Sequence, residues 1–323
     1  MPHDLVHSPG GSFAAYIAPT QQRDLLAELL ADKRSENTRR AYARDLQDFF
    51  LISAGRKPSP QLVSEFLKLD RFQSIALVLK YKAHLINRKL AEATINRRLA
   101  AIKSLCRYAQ KVGQCQWSLE EVQGEKVKSY RDTSGVGVDA YRKILEQCDR
   151  ALPSGKRNYA IFRLLWDNAL RRGEICKLNH ADFDPELRTL QILGKGRGTQ
   201  QERIDLSEGT SAAIAQWQQH LSPHSSTTAL FTALDNAHKG HRLTGNAIYQ
   251  LVREAAQKAG IQKVISPHRC RHSAITAALD ATGGNVREVQ KLSRHSRLET
   301  LMIYDDQRIG VQGKISTLLA DLL

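Results

Sequence analysis

Between Ser266 and Asp306 the chain reads SPHRCRHSAITAALDATGGNVREVQKLSRHSRLETLMIYDD. His268 and Arg271 stand three residues apart at its start, His272 follows, and Tyr304 lies nine residues beyond His295. An imidazole can carry a proton near neutral pH, and a guanidinium can fork onto an oxyanion. A phenol is a latent nucleophile that needs help, because its pKa lies at about 10. These types at this spacing suit proton transfer and nucleophilic attack at an anionic centre. Taken alone, they also fit a basic helical surface with an ordinary half-buried tyrosine.

Three short helices must position them. After the turn at Ser266-Pro267, Ile275, Ala278 and Leu279 fall at helical spacing, so His268 and Arg271 lie near a helix start. Gly283-Gly284-Asn285 leads into a second helix with Val286, Val289 and Leu292 inward, and His295 follows it. Leu298, Leu301 and Met302 mark a third segment, with Tyr304 after it.

Charge narrows the partner. Lys and Arg number 48 against 33 Asp and Glu, a net charge of +15 and a pI near 9.7. That excess points to a polyanion, nucleic acid before an anionic membrane. No apolar run approaches a membrane span, and the first residues lack the order of a signal peptide. Cys106, Cys115, Cys148, Cys176 and Cys270 are scattered without C-x-x-C spacing. This argues for a reducing compartment, and against a disulfide framework or structural zinc.

In chain order, residues 1–21 carry prolines and glycines without periodicity and read as a flexible arm. Residues 22–115 read as an all-helical domain. Its helices cover QQRDLLAELLADK, then SENTRRAYARDLQDFFLISAG capped by Ser35 or Asn37, then QLVSEFLKL and FQSIALVLKYKAHLINRKL. The clearest helix follows, with Thr94 as N-cap and Ile95, Leu99, Ile102 and Cys106 inward. Residues 1–115 hold 19 Lys and Arg against 10 Asp and Glu. Arg39, Arg40 and Arg44 lie on one helix, and Arg97, Arg98, Lys103 and Arg107 on another. An excess of one sign suits phosphate contacts better than salt bridging, so these seven are the candidate DNA-binding residues.

Residues 116–131 lose periodicity and read as a linker, leaving 132–323 as a second domain. There, an apolar helix with Ile161, Leu164, Leu165 and Ala169 inward ends at Ala169-Leu170-Arg171-Arg172-Gly173-Glu174. Leu190 and Ile192 alternate, as do Ile204 and Leu206, predicting a β-hairpin with Lys195 at its bend. Its Gly-Lys-Gly lacks the spacing of a nucleotide-binding loop. His220, His224, His238 and His241 lie in a Ser/Thr/Gly-rich stretch read as having no flanking carboxylate or Cys, which argues against a metal site. Ile315, Leu318, Leu319 and Leu322 form an apolar stripe on a terminal helix.

Together these motifs resemble the tyrosine recombinase (phage integrase) family over roughly residues 22–310. The family's Gly-Leu-Arg-x-x-Glu turn is matched at 169–174, its hairpin lysine at Lys195, and its His-x-x-Arg motif at His268 and Arg271. Its Leu-Gly-His motif falls on Ser293-Arg294-His295, and its nucleophile on Tyr304. NTRRAYARDLQDF and TINRRLAAIKSLCRYA resemble parts of the family's core-binding domain. Ala169 and Arg294 stand where the family usually has glycine.

The resemblance implies a mainly α fold with a small β-sheet. A helical core-binding domain and a mixed α+β catalytic domain with a C-terminal exchange helix would form a C-shaped clamp on double-stranded DNA. It implies that Tyr304 attacks a DNA phosphate to give a 3′-phosphotyrosyl bond, releasing a 5′-hydroxyl. Arg171 and Arg271 would hold the phosphate, Lys195 would protonate the leaving oxygen, His268 would assist proton transfer and His295 would donate to the phosphate. Glu174 would orient Arg171, and His272 would be a structural polar residue. No cofactor or metal is required, a homotetramer assembles on paired sites, and the setting is cytoplasmic and nucleoid-associated. A type IB topoisomerase, a metal-dependent nuclease and a non-catalytic DNA-binding protein are the competing readings. The nuclease requires clustered carboxylates, and only Asp305 and Asp306 adjoin Tyr304.

Overall fold

The computed structural model describes residues 23–127, 135–194, 200–221, 228–305 and 311–322. The arm read over 1–21, the linker end at 128–131, the hairpin bend with Lys195, His224, Asp306 and Gly310 lie outside the described residues. The chain forms two compact units divided between Arg131 and Asp132. As expected, it is mainly helical, with one small antiparallel sheet.

In the first unit, α1 (Leu25–Asp32), α2 (Glu36–Ala54), α3 (Pro60–Lys68), α4 (Arg71–Asn87) and α5 (Glu92–Lys111) follow one another closely. Side chains of Asp24, Ser35, Ser59 and Asp70 cap the first four by accepting from backbone N–H groups. The fifth does not start at Thr94. It begins at Glu92 behind Ala91, which makes no side-chain cap. Glu92 and Ala93 are good helix formers, and a carboxylate suits the positive end of the helix dipole, so the helix runs further back.

Ile95, Leu99, Ile102 and Cys106 are buried as their spacing requires. Phe49 is the hub of this core, edge-on to Phe50, Phe66 and Tyr81 at 5.1–5.2 Å between ring centroids. Such pairs add about 0.5–1.5 kcal/mol each beyond the area they bury.

The linker reading over 116–131 is corrected in its first part. Trp117, Leu119 and Val122 are buried in the first core. The Trp117 indole lies edge-on to Phe66 at 5.6 Å, and its N–H donates to the Leu69 carbonyl. A helical period is absent because the backbone here is irregular. Apolar residues at 115, 117 and 119 nevertheless alternate.

The second unit contains α6 (Val138–Glu146), α7 (Pro153–Asp167), the single turn α8 (Arg172–Ile175), β1 (Phe183–Asp184), β2 (Thr189–Leu193) and β3 (Gln201–Asp205). After these come α9 (Glu208–Gln218), α10 (Gly245–Lys258), α11 (Pro267–Ala281), α12 (Val286–Ser293), α13 (Leu298–Asp305) and α14 (Val311–Ala320). β2 and β3 pair antiparallel with Leu190 opposite Ile204, and β1, not foreseen, adds a third strand opposite Thr189 and Leu190. Leu190 and Ile192 face a core with Ile161, Leu164, Leu165 and Trp217. A smaller core gathers Ala169, Ile275, Leu279, Val289, Leu301 and Tyr304. Gly135 lets its segment lie against α11, where a Cβ would meet the Ser273 hydroxyl at 1.8 Å.

Three of the seven basic candidates are engaged in ion pairs, Arg40 with Glu36 of its own helix at 3.5 Å. Arg97 pairs with Asp45, and Arg98 pairs with Asp48 beside the Tyr81 hydroxyl, linking α5 to α2. Arg98 is only 15% exposed. The reading that this excess suits phosphate contacts better than i,i+4 salt bridging is corrected for these three: Arg40 makes such a pair, and the carboxylates that meet Arg97 and Arg98 come from another helix. Arg39, Arg40, Arg44 and Arg107 are exposed, and Lys103 is half-buried. Replacing Arg98 with Ala takes the nearer cation from Asp48, leaving it Arg88 at 3.6 Å and the Tyr81 hydroxyl, and should cost about 1–2 kcal/mol in urea unfolding. Arg44→Ala should stay within about 0.5 kcal/mol. Equal small losses would contradict the bracing role.

Candidate active site

Arg271 is 2% exposed, which an unpaired guanidinium does not tolerate. It sits in the second turn of α11, whose start is set by Pro267 and by the Ser266 hydroxyl accepting from the Arg269 N–H. One terminal nitrogen donates to the Ala169 carbonyl and the other to the Ser293 carbonyl. These carbonyls belong to two turns, one after α7 and one at the end of α12. Ala169, at φ 46°, makes the first turn, and Arg294, at φ 55°, follows the second carbonyl.

The first turn leads into α8, where Arg171 occupies the N-cap position. Glu174, buried, reaches back to it. Its carboxylate accepts from the Arg171 backbone N–H at 2.9 Å and from the Arg171 guanidinium at 2.7 Å. Arg171 stays 28% exposed, so its remaining donors can face a ligand. Burial alone would raise the Glu174 carboxyl. The Arg171 backbone N–H and the Arg294 and Arg171 charges reverse this and hold it below the usual carboxylate range.

Three guanidinium groups thus surround one carboxylate, leaving positive charge in a poorly solvated place. Desolvation, then Arg171 and Arg294, push Arg271 down to about 10, so it remains cationic at neutral pH. The same surroundings act on His295. Burial first, then Arg271, Arg171, Arg294 and His268, lower it to about 4. An Arg271 terminal nitrogen lies 3.3 Å from His295 Nε2. Arginine can only donate, so Nε2 accepts and the imidazole proton resides on Nδ1. That nitrogen has no partner among the described residues. His268 is exposed, yet desolvation and the Arg271 and Arg171 charges hold it below the ordinary imidazole value.

Tyr304 lies in the last turn of α13, 6% exposed in the smaller core. Burial raises its phenol, and Arg271 and Arg171 partly offset that. Its ring lies 4.1 Å from the His272 ring, tilted by 33°, and 5.6 Å from the His295 ring. The fold therefore brings together Arg171, Arg271, His295 and Tyr304, with His268 within reach of their charges. Lys195 is outside the described residues.

Two further residues adjoin the site. His272, read as structural, is buried and packs against the phenol. Arg294, read as a departure from glycine, places a guanidinium inside the site, where it meets Glu174 at 3.2 Å. The histidine stretch also needs correction: Asp235 lies 2.8 Å from His238, so a carboxylate does flank it.

Because His295 is depressed when folded, the unfolded chain binds more protons between pH 6.5 and about 4. Stability therefore falls as pH drops through that window. An NMR titration of the DNA-free protein should find the His295 midpoint near 4, and a midpoint at or above 6.5 would contradict this electrostatic picture.

Comparison with known proteins places this geometry. Residues 136–309 match the phage integrase family, and residues 23–113 match the phage integrase N-terminal SAM-like domain. A tyrosine recombinase of Synechocystis sp. is 56% identical over 93% of this chain and 96% of its own length. A tyrosine recombinase of Synechococcus elongatus is 50% identical over 95% of this chain and 96% of its own length. XerH site-specific recombinase, solved in a post-cleavage complex bound to palindromic difH substrate, shares the fold. Its TM-score is 0.64 at 20% identity, covering 95% of this chain and 86% of that one. With both units matched and more than half of all residues identical to a relative of nearly the same length, this chain belongs to the phage integrase family of site-specific tyrosine recombinases, which break and rejoin DNA.

Proposed function

We propose that Arg171, Arg271 and His295 hold one DNA phosphodiester while Tyr304 attacks it. The observation that carries this reading is the convergence of two guanidinium groups and a neutral imidazole beside a buried phenol. A phosphodiester repels nucleophiles through its charge. Arginines stay charged throughout, and their donors can follow the charge that grows on the non-bridging oxygens. His295, neutral and protonated on Nδ1, adds an uncharged N–H donor.

The phenolic oxygen forms a bond to phosphorus as the bond from phosphorus to the 5′ oxygen breaks. His268, held neutral, takes the phenolic proton. Lys195 supplies a proton to the leaving oxygen, giving a 5′-hydroxyl and a 3′-phosphotyrosyl link. Attack by the 5′-hydroxyl of a second strand reverses these steps and rejoins the DNA. Phosphate bond energy is kept in the link, so the scheme uses neither ATP nor a metal ion.

The first unit contributes affinity through Arg39, Arg40, Arg44, Lys103 and Arg107. Arg97, ion-paired but 44% exposed, can turn to a phosphate, whereas Arg98 would have to abandon Asp48. Strand exchange pairs two duplex sites in a homotetramer, and the natural setting is the nucleoid. Leu318 and Leu319 on α14 and Leu322 just beyond it are 59–80% exposed, which suits docking on a second copy.

A nicked suicide duplex should leave the protein joined to a DNA 3′ end, and Tyr304→Phe should bind it but trap nothing. Arg271→Ala or Arg171→Ala should slow adduct formation at least ~100-fold, about 2.7 kcal/mol, with modest loss of affinity. Arg44→Ala should weaken binding and flatten its salt dependence at an unchanged cleavage rate. Loss of affinity alone in all these arginine variants would contradict a catalytic pair. For assembly, deleting residues 311–323 should preserve monomer binding in a gel shift while abolishing tetramers on paired sites and recombination. A folded truncation that still recombines would show that α14 packs within its own chain.

A further inference from the structure

Two residues beside Arg271 have left-handed backbone without being glycine. A left-handed conformation is costly for an L-residue, because its Cβ crowds the following carbonyl oxygen. At Ala169 nothing in the side chain offsets that cost. At Arg294 three hydrogen bonds do. Its Nη1 donates to the Asn168 carbonyl at 3.2 Å and to the Leu292 carbonyl at 2.8 Å, and its Nη2 donates to Glu174 Oε2 at 3.2 Å. The side chain is 5% exposed, so its charge is directed at these partners and not at solvent.

Each partner adjoins a group that orients one of the two phosphate-holding arginines. Asn168 precedes Ala169, and Leu292 precedes Ser293. The Ala169 and Ser293 carbonyls are the two that hold Arg271. Glu174 uses its other oxygen, Oε1, to hold the Arg171 guanidinium. Arg294 is therefore one residue, or one carboxylate oxygen, away from every described hydrogen bond that fixes either guanidinium to backbone or carboxylate. Glycine in its place would relieve the backbone and remove all three bonds.

We propose that Arg294 is a positioning residue for DNA cleavage, tying the 168–169 turn, the 292–293 turn and Glu174 together so that Arg171 and Arg271 face one phosphate. It does not touch the phosphate itself. The inference rests on the cleavage chemistry proposed above, and its test separates the two.

Full-length parent, Arg294→Gly, Arg294→Lys, Glu174→Gln, the double variant Arg294→Gly with Glu174→Gln, and Tyr304→Phe are compared on one nicked suicide duplex. Affinity, single-turnover adduct rate at saturating DNA, the pH profile of that rate, and urea stability are measured for each. Arg294→Gly should bind within about twofold of the parent and form adduct roughly 10- to 100-fold more slowly. The acid limb of its profile should move to higher pH, because one cation near His295 is gone. Its loss should add only in part to that of Glu174→Gln, since the two share the Glu174 contact while the two carbonyl contacts are Arg294's own. Lysine keeps a charge for Glu174 but not the fork that spans both turns, so Arg294→Lys should fall between parent and glycine.

An adduct rate in folded Arg294→Gly within twofold of the parent, or a loss confined to affinity, overturns the proposal. If the glycine variant does not fold, Arg294→Lys decides: a reduced rate with an unchanged affinity supports the proposal, and the parental rate overturns it. A parent that forms no adduct, or a Tyr304→Phe variant that does, overturns the cleavage chemistry instead.

Discussion

A guanidinium buried to 2% exposure must be given acceptors, and the second unit is arranged around supplying them to Arg271. The two main-chain carbonyls that do so come from residues 102 and 22 positions away in sequence. To bring them there, α7 must end at Asp167 and turn sharply at Ala169, and α12 must end at Ser293 with a left-handed residue behind it. The same two turns launch Arg171 and His295. One hydrogen-bonding requirement thus fixes Arg271, Arg171 and His295, and the smaller core sets Tyr304 beside them.

The chemistry is shared between charge and burial. Water alone would leave both histidines titrating close to the physiological range and the phenol near its ordinary value. Burial first, and then the neighbouring cations, drive both imidazoles down, while the same cations restrain the rise that burial imposes on Tyr304. Glu174 keeps the cations from dispersing, because it is held ionised by the arginines it binds. The cations Arg171, Arg271 and Arg294 outnumber Glu174, the carboxylate that two of them bind. The site is thereby biased toward an anion before one binds.

Much of this was legible in sequence. Helical spacing located α11 and α12 and put Arg271 near a helix start, and alternation at Leu190, Ile192, Ile204 and Leu206 located the hairpin strands. What failed had physical causes. A helix start at Glu92 followed from propensity and dipole, not from the Thr94 side chain, which resembles a cap. Trp117 joined the core through irregular backbone that no helical period can reveal. Arg98 found its carboxylate on a different helix, so counting neighbours along one helix made it look free. Arg294 lay next to a recognised histidine, but a glycine position suggests a change of turn and not a third guanidinium folded back on Glu174.

The central claim is that the described cations and Tyr304 make a site for breaking a phosphodiester. Mass spectrometry of the peptide carrying the trapped DNA tests it most directly. After tryptic digestion, a terminal phosphonucleotide should be found on the fragment spanning residues 298–308, esterified at the Tyr304 oxygen through the 3′ phosphate. Attachment through a 5′ phosphate, or to any other residue, would contradict the account.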